Sequence, residues 1–515
     1  MPRRSPVHNP HLREPERMAP RVEGVLSNVE MMHASHAEVE TFAEKSGREW
    51  ARLLLEEHFA LRAALEQRVP VVGADGVERD SVRDSQRHLE TVVGTVTVTR
   101  KAYQATGRED LHPMDAALNL PPELFSHGVQ KMVSKEIARA SFDEVVALVS
   151  DYSGAQIAKR QVAELIVRGA LDFDAFYELR KSELVAIGDL LVISTDGKGI
   201  VVRHEDLREA TRRAAEQSTH KIETRLTPGE KHNRKRMAQV ATVYSVAPWV
   251  RTVADVLHTL RDAATESKRP APSNKRVWAS VEKHPRKIIR EAFEDALRRD
   301  PERLRRWVVL VDGEPKQLRA VKAEARRIGV KVTILVDIVH VLEYIWKAAR
   351  ALFGESCPEA EEWVGVRLHA LLTGSSGGDL ARTIRWWAKS RADSLDDAAR
   401  KAIAKACAYL TDRTRTRLMR YEAALRDGLP ISTGVIEGAC RYLVKDRMDR
   451  TGARWSLVGA DAVLRLRALR ASGDFDSYWS FHLAREKERS HASRYASGAI
   501  PVPITVGKNH LRLVK

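Results

Sequence analysis

The chain has 515 residues, 43% of them hydrophobic, and 86 Lys+Arg against 70 Asp+Glu give a formal net charge of +16. That composition excludes a mostly disordered chain, and the length predicts roughly three domains. No stretch approaches the ~20 apolar residues that span a bilayer. The first residues lack the apolar segment of a secretory signal, and Cys357, Cys407 and Cys440 form neither a C-x-x-C pair nor a disulfide framework. These features predict a soluble protein of a reducing, cytoplasmic compartment, with no membrane partner. Its basic charge suits a polyanion such as nucleic acid.

In chain order, residues 1–25 mix Pro, Arg and Glu and read as a disordered tail. Residues 26–80 form an amphipathic helical segment, with Val39, Phe42, Trp50, Leu53, Leu54 and Leu61 at three- and four-residue steps. Residues 81–135 hold a β-hairpin, where Val96 and Val98 alternate with threonines, and a connector rich in proline at 113–121. Residues 136–185 read as two helices broken at Ser153-Gly154, like a helix-turn-helix. Gln156, Lys159, Arg160 and Gln161 then lie where such a motif reads DNA; any helical hairpin would share the apolar pattern.

Apolar runs at 190–199, 238–246, 306–315 and 331–340 predict strands, and 286–299 and 316–328 predict helices between them. The alternation argues an α/β sheet spanning 186–340. Residues 341–430 contain no strand pattern and read as an inserted helical block. Residues 431–475 return with a helix begun near Ser432, Thr433 and Gly434, and 476–515 continue as helix and tail.

Three carboxylates stand out. Asp196 and Asp312 each close an apolar run and precede a glycine, and Glu437 lies in the first turn of a helix. Strand ends of one α/β sheet open toward a common crevice, so the two aspartates can meet there. Carboxylate oxygens suit Mg²⁺ or Mn²⁺. Two such ions about 3.5–4 Å apart clamp both oxygens of a phosphodiester displacement. The plain alternative is a tight Asp-Gly turn and a glutamate favoured at a helix start or paired with Arg441.

The segments STDGKGIVVR (194–203), VDGEP (311–315), DIVHVLEYIWKAA (337–349) and STGVIEGACRYLVKDRMDRTGARW (432–455) resemble the ISKra family of bacterial insertion-sequence transposases, within the Mutator-like DDE group. The resemblance runs from about residue 85 to 495. It implies an RNase H-like catalytic core in two parts, 186–340 and 431–475, separated by the helical insertion at 341–430. It implies that Asp196, Asp312 and Glu437 are the catalytic, metal-holding triad, with two Mg²⁺ or Mn²⁺ ions. It matches Asp337 and His340 to the acidic residue and histidine that the group carries between its second Asp and its Glu. Relatives carry cysteine pairs after the hairpin, whereas KAYQATGREDLHP (101–113) has none, which argues against a zinc knuckle.

Basic segments flank these positions. Lys231 to Arg236, including Arg234, Lys235 and Arg236, precede one strand, and residues 261–290 are also rich in Lys and Arg. Arg441, Lys445, Arg447, Arg450 and Arg454 follow Glu437. Such cations can neutralise phosphates without reading sequence; Trp455 reads better as a core anchor than as a base-stacking platform. Together the expectation is a transposase that binds double-stranded DNA, both the element's terminal inverted repeats and the target. It acts as a dimer or larger assembly, in the bacterial nucleoid. An RNase H-like nuclease that only hydrolyses and a non-catalytic regulator derived from a transposase are the rivals.

Overall fold

A computed structural model describes residues 13–180, 186–217, 234–261, 269–355, 357–450 and 453–504. The described chain is a mixed α/β protein with one five-stranded and one two-stranded sheet. It folds as two units: residues up to 178 with those from 474 onward, and residues 179–473. None of its described helices is long and apolar enough to cross a membrane.

The first unit begins with a helix, Arg13–Leu26, where the sequence reading placed a tail. Met18, Val22, Val25 and Leu26 are its half-buried positions, a three- and four-residue stripe that Pro15 and Pro20 obscure. Residues 1–12 lie outside the described residues. Helix His36–Leu65 follows, opened by a capping box in which Ser35 and Glu38 satisfy each other's backbone N–H groups. It packs on the expected hairpin, whose strands β1 (Ser81–Thr91) and β2 (Gly94–Gln104) pair antiparallel. Phe59 of the helix meets Leu89, Val96, Val98 and Met114 in one apolar cluster. The Val96/Val98 alternation therefore faces inward, as period-two patterning requires. The expected connector at 113–121 contains a short helix, Pro113–Leu118, with proline at its start.

Three helices complete this part: His127–Glu136, Phe142–Ser153 and Lys159–Gly169. Gly154 ends the second with φ +72°, a left-handed conformation that glycine adopts without steric cost. Val145, Val149, Val162, Leu165 and Ile166 are buried. The C-terminal helix Phe475–Ser490 belongs to the same unit. Its Tyr478 hydroxyl donates to the Gly169 carbonyl at 2.8 Å, and its Glu486 pairs with Arg168.

The second unit is built on a sheet of order β5-β4-β3-β6-β7. The strands are β3 (Leu190–Val201), β4 (Lys235–Val246), β5 (Ser273–Ser280), β6 (Trp307–Val311) and β7 (Val332–Val336). β4 pairs antiparallel with both β3 and β5, while β3, β6 and β7 run parallel. Helices Pro285–Arg299 and Pro315–Ile328 supply the crossovers into β6 and β7. β6 is buried at every position, as a strand covered on both faces is. After β7 come helices Ile338–Phe353, Pro358–Leu372, Gly377–Ser390, Asp397–Arg415 and Tyr421–Arg426. Helix Gly434–Ala439 then widens into a π-helical turn at Cys440–Lys445. Helix Leu457–Ala471 lies against β5, and its Asp461 accepts from the Ser280 hydroxyl at 2.6 Å and the Val281 N–H at 3.0 Å.

Candidate active site

The register of the sheet brings the acidic residues into line. Ser194 of β3 pairs with Leu310 of β6, and Leu310 pairs with Leu335 of β7. Two residues further along each chain stand Asp196, Asp312 and Asp337, at the same edge of three adjacent parallel strands. Side chains two residues apart share a sheet face. The expectation that Asp196 closes its strand is corrected: β3 continues to Val201, because β4 pairs with it all along, Asp196 opposite Val240. Asp196 stands instead where β3 outruns β6. Asp312 does end β6, and Gly313 turns the chain with φ +89°.

Local contacts hold this edge in shape. The Asp312 carboxylate accepts the Glu314 N–H at 2.8 Å, and its carbonyl accepts the Tyr409 hydroxyl at 2.9 Å. The Gln317 amide donates to the Thr195 carbonyl at 2.7 Å, tying the start of helix Pro315–Ile328 to the residue before Asp196. Asp196 accepts its neighbour's N–H, from Gly197, at 2.6 Å, and the Cys440 thiol at 3.3 Å.

Electrostatics agree with this geometry. Burial raises the Asp312 carboxyl above its ordinary range, the charge of Asp196 adds to the rise, and the Glu314 N–H and His340 pull the other way. Asp196 and His340 thus both act on the Asp312 carboxyl. The Cys440 thiol is likewise pushed up, first by burial, then by Asp196, with Glu437 contributing. Cys440 thus ties the segment that carries Glu437 to the β3 aspartate through its own hydrogen bond to Asp196. Glu437 is exposed and makes no ion pair among the described residues.

Asp337 is 1% exposed. It caps helix Ile338–Phe353 by accepting the Val339 N–H at 2.9 Å, and it also accepts the Thr433 hydroxyl. His340 Nδ1 lies 3.8 Å from Asp337 Oδ2, beyond hydrogen-bond reach. That nitrogen is buried without a partner. Asp337 is therefore a cap, and its hydrogen bonds do not orient the His340 ring.

The DNA-contact candidates divide. Gln156, Lys159 and Arg160 are exposed, with Lys159 paired to Asp143 at 2.5 Å and Arg160 to Glu164 at 2.9 Å. Gln161 also caps its helix, its amide oxygen accepting the Ala158 N–H at 2.8 Å. Arg234 is half-buried and Lys235 exposed. Arg236 is half-buried and donates to the carbonyls of Val281 at 3.0 Å and Asp206 at 3.2 Å. Lys231, His232 and Asn233 lie outside the described residues, as does part of the basic 261–290 segment. Arg441, Lys445, Arg450 and Arg454 are exposed. Arg447 is buried, its guanidinium 4.8 Å over the ring of Trp455. Trp455 is the core anchor expected, with its indole N–H on the Met448 carbonyl at 3.0 Å.

Sequence reasoning missed Cys440, Gln317 and Tyr409. Cys440 follows Glu437 by three residues, the spacing that shares a helix face, and this was its one visible signal. It also missed Asp172, His482 and Glu486, the described residues that gather three metal-ligating atoms within 4.8 Å of one another. Asp196, Asp312 and Glu437 are not gathered so closely. The buried trio is already charge-paired: Arg489 contacts Asp172 at 2.8 Å and Glu486 at 2.9 Å, Arg168 contacts Glu486, and His482 bonds Asp172 at 2.7 Å. Neither a scan against protein-family models nor a search of curated proteins finds a match to this chain.

Proposed function

We propose that the chain is a DDE transposase of the ISKra type, with an RNase H-like core, that cuts the ends of an insertion sequence and joins them to target DNA. The observation that carries the reading is the alignment of Asp196 and Asp312 on neighbouring strand edges, with Cys440, three residues after Glu437, donating to the Asp196 carboxylate. The five helices between β7 and the helix of Glu437 support the two-part core with its inserted block.

The donor set fits divalent cations. Asp196, Asp312 and Glu437 offer oxygen ligands, the type Mg²⁺ and Mn²⁺ prefer. None of the three forms an ion pair with a described cation, and the mutual repulsion of Asp196 and Asp312 is what a bound cation relieves. When bound, such ions activate the attacking oxygen and neutralise charge on the displaced phosphate. The protein's part is positioning: Gln317 fixes the Asp196 strand, Tyr409 fixes the Asp312 turn, and Cys440 donates to the Asp196 carboxylate. His340 stands close enough to Asp312 to affect a proton there. Helices of the first unit would bind the inverted repeats through Gln156, Lys159 and Arg160. Arg441, Lys445, Arg450 and Arg454 would contact backbone phosphates, and a dimer would hold two ends together.

Single-turnover cleavage of DNA carrying the element's own terminal repeats tests this reading. Asp196→Ala, Asp312→Ala and Glu437→Ala should each abolish Mg²⁺-dependent cleavage and strand transfer while leaving repeat binding intact. Cleavage at a wild-type rate by any one of them would remove that residue from the triad.

A further inference from the structure

Beyond β4 the chain crosses from Ala247 to Thr252 before helix Val253–Arg261. This crossing is pinned to the segment that leads into the helix of Glu437. The Trp249 N–H donates to the Gly428 carbonyl at 2.9 Å, and the Arg251 N–H donates to the Leu425 carbonyl at 3.3 Å. Gly428 has φ +70°, and a Cβ there would stand 2.7 Å from the Trp249 nitrogen. Only glycine allows that approach.

The pinning leaves Arg251 in an unusual setting. Its guanidinium lies 5.0 Å over the Trp249 ring, and one Nη donates to the Leu429 carbonyl. Its Nε is buried with no hydrogen-bond partner. Neither Arg251 nor Arg269 forms an ion pair among the described residues. Asp255, the nearby acid, is turned to the Thr252 N–H and hydroxyl, each at 2.7 Å. Burial, and then the charge of Arg269, bring the Arg251 guanidinium down to about 10. The charge of Asp255 pulls the other way, but no acid is among the described residues that line the cleft, so two guanidiniums share it in an arrangement that a bound anion relieves.

The cleft's size and position narrow the anion. Its volume of about 30 Å³ is room for roughly two oxygen-sized groups, since a water needs ~10–15 Å³ on this measure. A phosphodiester presents two non-bridging oxygens. Guanidinium forks match phosphate oxygens in pairs. Ser432 and Val435 also line the cleft, and Val435 precedes Glu437 by two residues in the same helix.

We propose that Arg251 and Arg269 clamp one backbone phosphate of the DNA beside the helix that carries Glu437. The DNA half of this proposal rests on the transposase reading; the phosphate half rests on the cleft alone. Both arginines would be positioning residues that fix the strand's register relative to the carboxylates.

The test uses the full chain, without divalent metal, in wild-type, Arg269→Ala, Arg251→Lys and Arg251→Ala forms. Thermal unfolding is followed in inorganic phosphate and in chloride at equal ionic strength. Repeat-DNA affinity is measured against salt. Phosphate should raise the wild-type midpoint above that in chloride, and Arg269→Ala and Arg251→Ala should lose the difference. The slope of log K against log salt should fall by about 0.9 for each arginine removed. Arg269 is exposed, so its variant keeps the test open should Arg251→Ala fail to fold, and Arg251→Lys should retain the salt slope. An equal phosphate effect in wild type and Arg269→Ala, marking an adventitious ion only, would overturn the clamp. A lost phosphate effect with an unchanged DNA slope would overturn its assignment to DNA. A wild-type chain that binds no DNA yet shows an Arg269-dependent phosphate effect would sink the transposase reading and leave the anion site standing.

Discussion

Gly313→Ala tests whether the turn after Asp312 is as constrained as its surroundings require. Gly313 has φ +89°, which L side chains rarely adopt, and holding alanine there costs about 1–3 kcal/mol. A Cβ would also stand 2.5 Å from Arg413 Nε, 3.1 Å from its Cδ and 3.3 Å from Val336 Cγ2. Arg413 cannot swing away freely, because it is 7% exposed, pairs with Asp412 and lies 5.0 Å over the Tyr409 ring. Overpacking of this kind adds about 1–3 kcal/mol. The two costs together predict a loss of about 2–6 kcal/mol, or roughly 4–12 °C in the midpoint of the unit that holds the site. Chemical denaturation of Gly313→Ala, Arg413→Ala and the double variant separates them. The double variant should recover the steric part, giving a coupling of about 1–3 kcal/mol, and should keep the backbone part. Because Tyr409 touches both Arg413 and the Asp312 carbonyl, the single variant should also raise the metal concentration needed for half-maximal cleavage. Stability within about 0.5 kcal/mol of wild type would refute the reasoning.

Three further outcomes are expected. Asp295 is buried, which alone would raise its carboxyl, but the charges of Arg276 and Arg299 bring it down to about 2. A depressed carboxylate contributes stability that is present above its unfolded value near 4 and lost as pH falls through 2. Stability should therefore drop on the order of 2 kcal/mol across that window, and acid titrations of Asp295→Asn should lack that component. Lys159→Ala with Arg160→Ala should barely change stability, because both ion pairs are exposed, yet should lower the DNA salt slope by about 0.9 for each phosphate that these side chains neutralise. A slope equal to wild type would move the repeat reader elsewhere. His340→Ala should slow single-turnover cleavage by roughly 10²–10⁴-fold without changing the metal requirement, and His340→Gln should recover part of the rate. An unchanged His340→Ala rate would leave that ring a packing role.

The apolar runs of β3, β4, β6 and β7 were legible because each is bounded by glycine, proline or charge. β5 was not. Its sequence, SNKRVWAS, carries Arg276 into the interior, where Asp295 from the next helix neutralises it at 2.7 Å. Periodicity cannot show a partner nineteen positions away. Asp196 was identified but misplaced within its strand, because the antiparallel partner that prolongs β3 is invisible in the local pattern. Some of the cations also serve the fold itself, as Arg447 does by stacking on Trp455 and Arg236 by bonding two carbonyls. A run of basic residues does not reveal which of them face inward. The return of helix Phe475–Ser490 to the first unit depends on Tyr478, Glu486 and Asp474 meeting Gly169, Arg168 and Tyr177. No local signal carries those contacts.

On the proposed reading, Asp196, Asp312 and Glu437 together hold the cations that cut DNA. Counting Mn²⁺ bound to the full chain on repeat DNA, by the loss of the free-ion electron paramagnetic resonance signal, tests this most directly. The wild-type chain should bind two ions per protomer. Asp196→Asn, Asp312→Asn and Glu437→Gln should each lower that number and abolish cleavage together. An unchanged count in a variant lacking all three carboxylates would contradict the triad.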